Sequence, residues 1–156
     1  MKFEHLIQIN DPQDPLIPPL NRQQVWLGLI HRVENPLPFL PGLESCVIIE
    51  RHADVLLRQL DFGPAVIQDR VTLAEAHWVH FEIEPSSAHP GGSLTITIEE
   101  PEPAFLFLRF AYRTTLASGS HSEDRAYIEY VKSAYHQSDV DCVRLIRTLA
   151  ASGMPQ

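Results

Sequence analysis

Residues 93–112, SLTITIEEPEPAFLFLRFAY, decide how the rest of the chain is read. Leu94, Ile96 and Ile98 alternate with Ser93, Thr95, Thr97 and Glu99, and after EPEP the alternation resumes in FLFLRFAY. Period-two patterning on both sides of a proline-bearing turn is the mark of an antiparallel hairpin with one apolar face. The face that the second arm buries depends on loop length, because a one-residue slip turns every side chain over. An odd loop places Leu106, Leu108, Phe110 and Tyr112 with Ile96. An even loop places Phe105, Phe107 and Arg109 there, and makes Arg109 a buried cation awaiting an acidic ligand. The odd loop is preferred, because it leaves Arg109 and Arg113 in water.

Upstream, the same period continues. Strands are expected near 45–51, 54–61, 65–73 and 77–84, separated by RHAD, FGP and LAEA, with PSSAHPGG before the hairpin. With 93–100 and 104–114 they make six short strands in succession with no helix between them, hence an antiparallel meander. At the start, Phe3, His5, Ile7 and Ile9 oppose Glu4 and Gln8, giving a strand over 2–10 that ends at the proline-rich DPQDPLIPP. Asn21 can cap a helix over 22–34 whose stripe is Val25, Trp26, Leu29, Ile30 and Val33. NPLPFLPGL follows and permits at most one helical turn. Pro38, Phe39 and Leu40 there read either as a plug over an apolar opening or as a linker packed on the helix.

Downstream, a helix is expected from about Ser122 to Ala150, with Glu123 and Asp124 in its first turn. Ile128, Val131, Tyr135, Cys142, Leu145, Ile146 and Leu149 share one face. About 28 residues at ~1.5 Å each give ~40 Å, enough to cover a sheet. The expected fold is therefore α+β: a curved seven-stranded antiparallel sheet wrapped around a long C-terminal helix, in one domain over 1–156. A sheet curved that strongly around one helix leaves a gap, and gaps of this kind hold small molecules.

Composition limits the partners. The 156 residues carry a net charge of −8 and are 44% hydrophobic and 21% charged. Lys2 and Lys132 are the lysines, and no basic stripe forms, which argues against nucleic acid and against anionic membrane. No segment reaches the ~18 apolar residues of a membrane span, and MKFEHLIQIN is unlike a signal peptide, so a cytoplasmic protein is expected. Cys46 and Cys142 read as small buried hydrophobes. Neither a cofactor nor a metal is expected: His77 and His80, three apart on a strand, point to opposite faces. SGSHS at 118–122 lacks the pattern of a nucleophile elbow.

FEHLIQIND at 3–11, RQQVWLGLIHRVENP at 22–36, FLPGLESC at 39–46, SLTITIEEP at 93–101 and FLFLRFAY at 105–112 together resemble the AtaL-like family of unknown function. That family falls within the START and pollen-allergen-like (SRPBCC) superfamily, and the likeness spans nearly the whole chain. It implies the helix-grip fold. The superfamily includes lipid carriers, metabolite binders and polyketide cyclases, and the resemblance carries no catalytic residue onto this chain.

The candidate ligand-binding residues are His5, Asp69, Phe110, Tyr112, Arg109, Phe39 and Tyr135. His5 interrupts an apolar face, where it either binds a ligand oxygen, shuttles a proton or is hydrogen-bonded in the core. Asp69 alternates with Ile67, Val71 and Leu73, so it serves a ligand site or is twisted out to solvent. Tyr112 would bring a hydroxyl into the cavity. His80, Glu82, Thr95, Thr97 and Glu99 share a polar face, read as a solvated surface in preference to a carboxylate pair. Three functions remain in play: binding of a small apolar or amphipathic molecule, a cyclase- or dehydratase-type enzyme in the same cavity, or an interaction module with a self-filled core. Exposed Phe105 or Phe107 would suggest a homodimer.

Overall fold

The computed structural model describes residues 1–114 and 122–153, without the side chains of 122–124. Its elements are β1 (Lys2–Gln8), α1 (Arg22–Glu34), β2 (Ser45–His52), β3 (Val55–Asp61), β4 (Val66–Ala74), β5 (Trp78–Ile83), β6 (Gly92–Glu102), β7 (Phe105–Thr114) and α2 (Ser122–Ala151). The seven strands form one antiparallel sheet in the order β1-β7-β6-β5-β4-β3-β2. The first and second strands therefore occupy opposite edges, and α1 crosses from one edge to the other. The expected α+β helix-grip architecture is present. The SGSHS segment and the acidic first turn proposed for α2 fall outside the described residues and side chains.

Local chemistry accounts for the ends of α1. The Asn21 side chain accepts from the Gln24 amide, and the Gln24 side chain returns a bond to the Asn21 amide, a capping box that satisfies two end groups. After α1, Pro36 O accepts from the Phe39 and Leu40 amides, closing the single turn that the prolines allow.

The β6–β7 register pairs Ile96 with Phe110 and Leu94 with Tyr112. Leu106, Leu108, Phe110 and Tyr112 thus share the inner face, as preferred from the loop. Arg109 lies on the outer face, where Glu99 and Glu4 bind its guanidinium. One inner row runs Leu56, Val71, Phe81, Leu94, Tyr112, Phe3 across six strands. A second brings Ile48, Arg58, Asp69, Ile83 and Gly92 into line.

The helices close the inner face. Cys142, Val143 and Ile146 of α2 join Val25, Trp26, Leu29 and Val33 of α1 in the main core. Gly28 makes their crossing close: a Cβ there would lie 2.7 Å from two Ile146 carbons. The core is complete near β1, β7 and the crossing of the helices. It is incomplete toward the end of β5, where the cavity lies.

Candidate functional site

The cavity has a volume of about 610 Å³. Its floor is the inner sheet face at Leu60, Ile67, Phe81, Ile83 and Leu94. Phe62, Ala65 and the stretch 88–92 border it; α1 contributes Arg32, the turn after it Leu40, and α2 Tyr135 and Ser138. Gly91 and Gly92 adopt φ of +98° and +149°, and the carbonyl of Arg113 is 3.0 Å from where a Cβ on Gly92 would lie, so only glycine fits this approach to β7. The walls are mainly apolar, but three sets of charged or polar groups reach into them or lie just behind.

The first set is Arg58 with Asp69. The register places them opposite each other, and both are buried. Arg58 Nε donates to Asp69 Oδ1 at 2.9 Å and Nη2 to Oδ2 at 2.6 Å, a two-pronged pair. Nη1 donates to the Val33 carbonyl at 2.8 Å, tying the end of α1 to the sheet. Asp69 is therefore neither turned to solvent nor free for a ligand. The alternation Leu56, Arg58, Leu60 puts its partner on the same buried face.

The second is Tyr112, Asp139 and His5. Tyr112 lines the cavity, and its hydroxyl donates to Asp139 Oδ1. Asp139 Oδ2 meets His5 Nδ1 at 3.0 Å, and the His5 ring lies edge-on to His136 at 5.0 Å. The Tyr135 ring packs against Tyr112 at a tilt of 39°, with centroids 4.5 Å apart. Burial, with Asp139 alongside, pushes the Tyr112 hydroxyl far above the usual phenol range, so it stays protonated. Burial also raises the Asp139 carboxyl, outweighing the hydrogen bonds from Tyr112 and His5 that lower it.

A pH dependence follows from Asp139. Its folded-state pKa lies above the unfolded one, so between the two the native state binds more protons. Stability then falls as pH rises through that window, and the penalty is complete above it. Asp139→Asn keeps an acceptor for Tyr112 and removes the buried charge. It is expected to be more stable than wild type at neutral pH, with the gap closing as pH falls below about 4. Urea unfolding at several pH values checks this; a gap that widens in acid would refute it.

The third is Arg32, in the last turn of α1. It is 8% exposed and lines the cavity, and its Nε has no hydrogen-bond partner. Its guanidinium lies 5.5 Å from the centroid of the Phe81 ring and 6.0 Å from that of Phe39.

Of the seven candidates, Asp69, Tyr112 and Tyr135 line the cavity. The other four do not. His5 is held behind Tyr112 by Asp139. Phe110 is wholly enclosed in the main core because its cross-strand neighbours leave no space beside it. Phe39 is buried under Arg32, and of the expected plug it is Leu40 that reaches the cavity. Arg109 is on the other side of the sheet. There His80 Nδ1 meets Thr95 Oγ1 at 2.7 Å and Nε2 meets Glu82 at 3.1 Å, on a polar outer surface. Phe105 and Phe107 are half-buried on that side. Among the described residues no group of three His, Cys, Asp or Glu side chains could hold a metal, and no helix is long and apolar enough to cross a membrane.

A sheet gripping a long helix over a partly apolar cavity defines the helix-grip class, to which START proteins belong. Within that class, the family model described as acetylaranotin biosynthesis cluster protein L (AtaL) matches residues 7–153, and the chain belongs to this family. No curated protein matches it. The solved structures it resembles include the Zhui aromatase/cyclase from Streptomyces sp. R1128, 16% identical with a TM-score of 0.67, covering 96% of this chain and 95% of that one. A START superfamily protein from Mycobacterium smegmatis is 11% identical with a TM-score of 0.67, at 95% and 98% coverage. The di-domain aromatase/cyclase StfQ of the steffimycin pathway is 13% identical with a TM-score of 0.64; the match covers 97% of this chain and 52% of StfQ. At these identities the likeness establishes the fold alone.

Proposed function

We propose that this protein binds a small hydrophobic or amphipathic molecule in the cavity between the sheet and the C-terminal helix. The observation that carries this reading is the cavity itself: about 610 Å³ of space, with apolar walls and a few convergent polar side chains. Natural small-molecule sites have this size and this lining. A core that served stability alone would be filled, because a void forfeits the contacts of its lining.

A second reading, catalysis on a polyketide-like or aromatic substrate, is favoured by one specific arrangement. Tyr112 at the cavity wall is hydrogen-bonded to Asp139 and through it to His5, so a proton donor is held in place by a carboxylate and an imidazole. The Zhui and StfQ structures, which this chain resembles in fold, are aromatase/cyclases.

Native mass spectrometry of freshly purified protein, compared with its denatured mass, tests the binding reading. Added mass that is lost on unfolding is the expected result. A bare chain that takes up nothing from a mixture of lipids and aromatic metabolites would refute it. Turnover of a bound compound that stops in Tyr112→Phe, with binding retained, would establish the second reading.

A further inference from the structure

We infer that Arg32 is the anchor for an acidic oxygen, so that the molecule taken up is an aromatic or apolar body carrying a carboxylate, phenolate or sulfonate-like group. This rests on the binding reading above and narrows it to a substrate class. The argument begins with the contrast between the two arginines of the cavity. Arg58 is neutralised by Asp69, and its third nitrogen, Nη1, donates to the Val33 carbonyl. Arg32 is also buried, at 8% exposure against 2% for Arg58, but forms no ion pair among the described residues, and its Nε is unpartnered.

The groups around Arg32 do not supply the missing charge. Phe39 and Phe81 offer only ring faces. The Cys142 thiol beside it is raised by burial and stays neutral. Asp139 is near enough for its carboxyl to feel the Arg32 charge, but it makes its hydrogen bonds to Tyr112 and His5 and burial pushes it toward its neutral form. A buried cation without a counter-charge is costly, and a ligand that brings one removes that cost. A guanidinium also presents a planar fork suited to a two-oxygen anion. Phe81, Tyr135 and Leu94 supply apolar surface beside it for the rest of the molecule.

The test uses two probes of nearly the same shape: anilinonaphthalene sulfonate, which is anionic, and N-phenylnaphthylamine, which is neutral. Each is titrated by fluorescence into wild-type protein, Arg32→Met and Arg32→Lys. The anionic probe is expected to bind wild type at least about tenfold more tightly than the neutral one. Arg32→Met should abolish that preference, while Arg32→Lys should keep part of it. Equal binding of the two probes to wild type, or a preference that survives in Arg32→Met, overturns the assignment while the binding reading stands. Failure of both probes to bind wild type overturns both. A measurement on unaltered protein guards against variants that do not fold: the Arg32 Nε–H resonance should move on addition of the anionic probe and not of the neutral one. A resonance that ignores the anionic probe while it binds overturns the assignment.

Discussion

Replacing Arg58 by Met is expected to destabilise the protein by about 3–5 kcal/mol, the usual cost of leaving one member of a buried ion pair without its partner. The substitution strands the Asp69 carboxylate at 3% exposure, between β3 and β5 and facing the core. It also releases the Val33 carbonyl near the end of α1, whose hydrogen bond to Arg58 holds that helix against the sheet. Asp69→Leu should cost a similar amount by orphaning the guanidinium. The double variant Arg58→Met/Asp69→Leu should recover most of either loss, because two apolar side chains of comparable bulk leave no uncompensated charge. Urea unfolding of the three variants and wild type measures this directly. Additive losses, with no recovery in the double variant, would show that the pair is not the source of the effect.

Arg58 also illustrates what could be read from the chain and what could not. The period-two alternation was strong enough to place all seven strands, because a half-buried sheet imposes it on each strand separately. The same rule places Arg58 on the buried face with Leu56 and Leu60. The helical rule likewise places Arg32 three residues from Leu29 and seven from Val25, on the apolar stripe. Asp139 stands four residues after Tyr135 and three before Cys142. Each is a charge on an apolar face, a signal of the same kind that singled out Asp69. What no local rule supplies is the partner. His5 and Asp139 are 134 positions apart, and their meeting depends on how α2 lies across β1 and β7. His5, Phe39 and Phe110 stand outside the cavity lining for a related reason. Periodicity tells which face a side chain is on, but not whether that part of the face is covered by packing or left open.

Phe110 turns that distinction into a measurement. Its side chain has 0% exposure and belongs to the main core, and it does not border the cavity. Phe110→Ala is therefore expected to cost about 3–5 kcal/mol, from lost burial and from the void left among rigid neighbours. The molecules that remain folded should take up ligand as wild type does, since the new void opens in the core beside Ile96 and not in the cavity wall. Phe81 is the counter-case. It forms part of the cavity floor, and its ring lies under both guanidiniums, Arg58 at 5.3 Å and Arg32 at 5.5 Å from its centroid. Phe81→Ala should lower stability and, in the folded fraction, weaken uptake as well, because the platform that orients Arg32 is gone. Thermal unfolding and native mass spectrometry on the two variants separate these outcomes. Loss of uptake in Phe110→Ala with an unchanged unfolding midpoint would mean that the cavity extends deeper than its present walls, through the ring of Phe110 and toward His5.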